Sequence, residues 1–144
     1  MRITTLTAII ACCLLVACKS SKKTTSAIPD SSKLDGNWEL NYISGPRIAF
    51  DGLYPNKKPT ISFDVVANKV AGNTSCNSFT GALKVDRNKI NFNDPMAMTR
   101  MACPGEGETV FLEALKKINS WSVTNDTTLN LIMGDIETMR FTKR

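Results

Sequence analysis

The sequence contains no histidine among its 144 residues, which removes the commonest general base and the commonest zinc ligand. Serine triads, Cys–His dyads and His-ligated metal sites are excluded as ordinarily built. No Cys-x-x-Cys pair is present, so a thioredoxin-type redox centre has no sequence basis. The glycines of Pro104-Gly105-Glu106-Gly107-Glu108-Thr109 lack the Lys-Ser/Thr of a P-loop, and two glutamates there would repel a phosphate. The longest uncharged apolar run, Leu6–Ala17, falls short of the roughly 20 residues that a membrane-spanning helix requires. There are no internal repeats.

What is present begins with an address. Arg2 and the amino terminus precede the run LTAIIACCLLVA, which has the length of a signal-peptide core. It ends Leu15-Val16-Ala17-Cys18, which resembles a bacterial lipobox: a branched residue, two small ones, then the cysteine whose thiol takes a diacylglyceryl group. A chance cysteine in a cleaved signal, or an uncleaved anchor, is the competing reading. The n-region charge, the run length and all four motif positions agree on lipidation at Cys18. Residues 1–17 are then a signal peptide, and several acyl chains on Cys18 suffice for stable anchoring. Residues 18–33 are polar, rich in Ser, Thr and Lys, and read as a flexible tether. Of the 18 Lys and Arg residues, 13 fall in 34–144 against 12 Asp and Glu there, so the folded part is nearly neutral. The basic charge therefore belongs to the tether, where Lys beside an anionic membrane has a use, and no nucleic-acid face is indicated. Lys19 after Cys18, in place of Asp, directs the protein to the outer membrane if the enterobacterial sorting rule applies.

Period-2 alternation dominates residues 34–144. Leu34, Gly36, Trp38, Leu40 and Tyr42 fall on one face of an opening strand; Ile61, Phe63 and Val65 repeat the pattern. Leu83 and Val85, the turn Asp86-Arg87-Asn88, then Ile90 and Phe92 read as a hairpin. Trp121 and Val123, then Leu129, Leu131 and Met133, then Met139 and Phe141 complete a meander. Phe111, Leu112, Leu115 and Ile118 instead follow helical spacing, predicting one helix from about 106 to 119. Glu106 and Glu108 in its first turn and Lys116-Lys117 in its last suit the helix dipole. The expected fold class is α+β and mainly antiparallel: a small barrel or half-barrel of seven or eight strands, its open end plugged by the helix.

Three segments resemble the META domain, the HslJ-like family of bacterial envelope proteins. The first is Leu34-Asp35-Gly36-Asn37-Trp38-Glu39-Leu40. The second is Ala71-Gly72-Asn73-Thr74-Ser75-Cys76-Asn77-Ser78-Phe79-Thr80-Gly81. Ser75 stands where the family usually carries glycine, a departure that argues against a positive φ at that position. The third is Met98-Thr99-Arg100-Met101-Ala102-Cys103, followed by the helix containing Glu108, Phe111 and Leu112. The family motif positions are thus Gly36, Trp38, Gly72, Asn73, Cys76, Asn77, Phe79, Gly81, Thr99, Ala102 and Cys103. The resemblance covers nearly all of 34–144. It implies a small mixed barrel, no known catalytic activity and no cofactor, and links to envelope stress and drug tolerance.

Of five cysteines, Cys12 and Cys13 leave with the signal and Cys18 is lipidated. Cys76 and Cys103 remain, an even pair in an oxidising compartment. They form either a disulfide or two buried thiols in the core. Met96, Met98, Met101 and Cys103 are soft ligands of the kind that hold Cu(I), but the motif already accounts for Met98 and Met101, and no metal is expected. Glu106 and Glu108 sit at a helix start expected to be exposed, which makes a poor acid–base pair. Tyr54 is expected on an exposed loop, Gly52–Pro59. The expected protein is a lipid-anchored, non-catalytic envelope protein with an unknown protein or small-molecule partner. The alternative is a periplasmic inhibitor of a hydrolase such as lysozyme.

Overall fold

The computed structural model describes residues 30–144; the signal segment, Cys18 and most of the tether lie outside the described residues. The chain enters through a 3-10 turn at Ser31–Leu34, capped by the Asp30 carboxylate accepting from Ser32 N at 3.0 Å. The last residues assigned to the tether are therefore part of the folded unit. Ten strands follow: β1 (Gly36–Ile43), β2 (Thr60–Asp64), β3 (Lys69–Asn73), β4 (Ser78–Ala82), β5 (Lys84–Asp86), β6 (Lys89–Asn91), β7 (Ala97–Met98), β8 (Ser120–Thr124), β9 (Thr128–Met133) and β10 (Ile136–Lys143). A single helical turn, α1 (Phe50–Leu53), lies between β1 and β2, and the main helix, α2 (Gly107–Lys117), between β7 and β8.

The strands form one antiparallel sheet in the order β5-β6-β8-β9-β10-β1-β2-β3-β4-β7. Strand β5 opens that order and β4 stands next to its last strand, β7, yet along the chain the two are separated by Leu83 alone. The chain itself thus carries the sheet round, and Leu83 N donates to Asn68 O at 2.8 Å at the bend. The result is a half-barrel with one main helix.

The count of ten corrects the expected seven or eight. Strands β3 and β4 each bury one large side chain, Val70 and Phe79, beside Ala71, Gly72, Thr80 and Gly81, so they show no apolar alternation. They exist because each has a partner on both sides. The helix is also shorter than 106–119: Ile118 is extended, with φ −66° and ψ 136°, and packs into the core. Tyr42 does not join Trp38 and Leu40 inside. The β1–β10 register shifts between Leu40 and Tyr42, which reverses the parity, buries Ile43 and leaves Tyr42 exposed under the Arg140 guanidinium.

The core joins both faces of this design. Trp38, Trp121, Phe141, Leu129, Leu131 and Met139 from the sheet meet Phe111 and Leu115 of α2, all essentially without solvent contact. Each such side chain contributes about 1.5–3 kcal/mol on burial. The Trp38 indole N–H donates to Leu34 O at 2.8 Å, which binds the entry turn to the core.

Candidate functional site

The motif residues converge at the loop between β3 and β4. Thr74 N donates to Asn77 O at 2.8 Å, and Thr74 Oγ1 accepts from Asn77 N at 3.0 Å. The Asn73 carboxamide accepts from Ser75 N at 3.0 Å. Ser75 takes φ +87°. Its departure from glycine therefore does not remove the positive φ; the Asn73 bond holds Ser75 in a conformation that side chains resist.

Asn77 is the centre of the arrangement and is 2% exposed. Its Oδ1 accepts from Thr99 Oγ1 and from Met101 N, both at 2.8 Å. Its Nδ2 faces Met101 O, Cys103 Sγ and Glu108 Oε1, each at 3.1 Å. Thr74 Oγ1 lies 2.5 Å from Glu108 Oε2. One side chain thus fastens the β3–β4 loop, the segment Thr99–Cys103 and the first turn of α2. Cys76 and Cys103 are joined by a disulfide with Cα atoms 6.0 Å apart, adding a covalent bond to the same junction. Glu108, expected to be exposed, is half-buried with both oxygens engaged.

The remaining motif positions serve packing. At Gly72 a Cβ would meet Thr60 O at 2.2 Å and the Phe79 ring at 2.6 Å. At Gly81 it would meet Met96 Cγ at 2.8 Å. Trp38 lies two strands from Gly72, in register with it through Ile61, and Gly36 lies two strands from Val70, through Phe63. Ala102 is exposed. Cys18 lies outside the described residues.

The sulfurs of Cys76 and Cys103 and a Glu108 oxygen lie within 4.8 Å of one another. With the sulfurs bonded to each other the trio offers no thiolate, and Met101, which lines the same concavity, is exposed. Tyr54 corrects its expected exposure. It is 3% exposed, and its hydroxyl donates to Gly107 O at 3.0 Å across the start of α2. Burial pushes the Tyr54 phenol up to about 12.

A family model described as the META domain matches residues 32–144. The chain belongs to the META domain family. Solved structures share the fold. The NMR structure of a protein from Burkholderia xenovorans aligns with a TM-score of 0.60 at 20% identity, covering 85% of this chain and 96% of that one. A second NMR structure gives a TM-score of 0.54 at 21% identity, covering 78% and 92%. A crystal structure of a DUF4847 family protein from Bacteroides vulgatus gives 0.54 at 14% identity, covering 78% and 94%. A search of curated proteins finds no significant match.

The META domain also carries a groove that the sequence did not announce, at the other end of α2. It offers about 580 Å³ between the β5–β6 hairpin and the end of the helix. Lys84, Lys89, Lys116 and Lys117 line it, over Leu83, Val85, Ile90 and Ile118. These lysines come from elements far apart in the chain, so no local motif marks them.

Proposed function

We propose that the protein is a lipid-anchored member of the bacterial envelope whose META domain binds a partner or ligand without catalysing a reaction, in an accessory role in envelope stress or drug tolerance. The lipobox-like Leu15–Cys18 supports the anchor. The observation that carries the non-catalytic reading is the state of the motif. Asn77, Thr74, Thr99 and Glu108 direct their polar groups at one another, leaving no pair positioned as nucleophile and base toward a substrate. A motif built this way holds a scaffold together; recognition then falls to surfaces elsewhere on the domain.

Two measurements test the reading. Cells expressing the full chain, fed an alkyne-tagged palmitate, should label the wild type and leave Cys18→Ala unlabelled; equal labelling of both would refute the anchor. Native mass spectra of protein drawn from the envelope should show a reproducible adduct. Steady turnover of any envelope substrate by the purified protein, lost in Asn77→Ala or Glu108→Gln while the fold persists, would refute the binding reading.

A further inference from the structure

The disulfide lies beside a third metal-ligating group. The sulfurs of Cys76 and Cys103 and a Glu108 oxygen lie within 4.8 Å of one another, and all three residues are half-buried. They come from the β3–β4 loop, the segment before α2 and the first turn of α2. Hydrogen-bond donors around them fix the trio without using it up. Asn77 Nδ2 stands 3.1 Å from both Cys103 Sγ and Glu108 Oε1, and Thr74 Oγ1 lies 2.5 Å from Glu108 Oε2. Each carboxylate oxygen carries two lone pairs, so one on each is left for a further partner. A closed disulfide gains nothing from a carboxylate beside it. Two thiolates do, because the three together are a ligand set for a divalent ion.

We propose that the reduced protein binds Zn²⁺ through Cys76, Cys103 and Glu108, with a water from the adjoining concavity as the fourth ligand. Zn–S bonds of about 2.3 Å and Zn–O bonds of about 2.0–2.2 Å put tetrahedral donors roughly 3.5–3.8 Å apart. The trio already lies within that reach. The Cα atoms of Cys76 and Cys103 are 6.0 Å apart, and rotation of the two side chains supplies the separation that the sulfurs then need. The concavity offers about 380 Å³ and is lined by all three ligands and by Lys57. Two thiolates and a carboxylate around Zn²⁺ leave one net negative charge, which the Lys57 ammonium answers. The carboxylate also selects the metal: Cu(I) takes soft sulfur ligands, whereas zinc accepts sulfur and oxygen together. Asn77 and Thr74 orient the ligands from behind, as the hydrogen-bond partners of metal ligands do.

The exchange between the two forms balances. A dithiol reductant opens the bond: one of its thiolates attacks Cys76 Sγ, and Cys103 leaves as a thiolate beside the Asn77 amide. The second thiol of the reductant then displaces Cys76, so the reductant ends as a cyclic disulfide and two electrons have passed to the protein. Zn²⁺ takes both sulfurs as thiolates, and any thiol protons are released to water. Disulfide exchange in the other direction restores the Cys76–Cys103 bond and frees the ion. Zinc thus closes the same loop of 27 positions as the disulfide, and the junction between the β3–β4 loop and α2 is held in either redox state. This inference goes beyond the binding reading above and does not rest on it.

The full chain carrying Cys12→Ser/Cys13→Ser/Cys18→Ser keeps Cys76 and Cys103 as its only cysteines and can be purified in mild detergent. Reduced with a phosphine and titrated with Zn²⁺ against a chromogenic chelator, it should bind one ion. The oxidised form should bind at least about a hundredfold more weakly, since it lacks two ligands and each is worth at least about tenfold. Co²⁺ in place of Zn²⁺ should give the thiolate charge-transfer absorption and visible bands of a tetrahedral site. Glu108→Gln should weaken Zn²⁺ binding by at least about tenfold, whereas Glu106→Gln, at the exposed acid two positions before, should leave it unchanged. In urea, Zn²⁺ should raise the unfolding midpoint of the reduced protein and leave that of the oxidised protein unmoved. If reduction alone unfolds the chain, Zn²⁺ should restore the tryptophan fluorescence of the folded form, because binding and folding are then one equilibrium. Equal binding by the oxidised protein, no ion bound after reduction, an unaffected Glu108→Gln variant, or a reduced chain that Zn²⁺ neither stabilises nor refolds would each overturn the proposal.

Discussion

Because Asn77 is closed off from water, its carboxamide depends wholly on protein groups, and Thr99, Met101, Cys103 and Glu108 supply them from two segments outside its own loop. Asn77→Ala leaves Met101 N and Met101 O without this partner in a partly buried junction, and should cost about 3 kcal/mol. Urea unfolding of the two proteins measures it; a difference below about 1 kcal/mol would mean that water replaces the amide easily. Tyr54 makes a prediction of opposite chemistry. Its phenol titrates near 12 in the folded domain because burial disfavours the phenolate, against about 10 in the unfolded chain. The folded pKa is the higher one, so the stabilisation is complete below pH 10 and is lost as the pH rises from 10 through 12. Tyr54→Phe should lose about 1 kcal/mol at pH 7, through the bond to Gly107 O, and should show a shallower decline above pH 10. Parallel slopes for both proteins between pH 10 and 11.5 would contradict this.

Gly72 shows how one element limits its neighbour. A methyl there would drive into Thr60 O, a backbone atom of β2, as well as into the Phe79 ring. The strands must separate to admit it, so Gly72→Ala should cost about 3 kcal/mol or more. Phe79→Leu added to Gly72→Ala removes only the ring contact, so the double variant should remain less stable than Phe79→Leu alone by a similar margin; full rescue would show that the backbone contact yields freely. The same elements explain what was legible in the sequence. Strands β8, β9 and β10 bury alternate large residues, and their pattern was readable. Strands β3 and β4 bury little of their own and were invisible as alternation, as was the bulge that turns Tyr42 outward. The charges at either end of α2 marked the helix, but its extended exit at Ile118 comes from core packing and leaves no local trace. At the junction, the motif named Asn77 and Cys103 by resemblance. It did not reveal that Glu108, 31 residues further on, completes their network, because contacts of that range are set by topology. The lysine groove escaped for the same reason.

At the scale of the whole molecule, the disulfide encloses the segment that supplies both ends of the sheet. Between Cys76 and Cys103 run β4, β5, β6 and β7, and the sheet begins with β5 and ends with β7. Three of these strands have only two or three residues, too few to hold register by their own hydrogen bonds. Constraining this loop of 27 positions lowers the entropy of the unfolded chain by about 3–4 kcal/mol, and the saving falls on the part of the barrel least able to do without it. Cys76→Ser/Cys103→Ser should therefore unfold at lower denaturant concentration by that amount. In hydrogen exchange the loss of protection should be larger in 84–98 than in β9 and β10, which pair with long neighbours on both sides. If the bond acts only through the unfolded state, the variant loses the same free energy at every globally exchanging amide and keeps its local profile. If β5–β7 open first, those amides exchange by a route of their own while β9 and β10 still report global unfolding. Exchange in which 84–98 stay as protected as the central strands after the cysteines are removed would show that Asn77 and its partners hold the closure without help from the covalent bond.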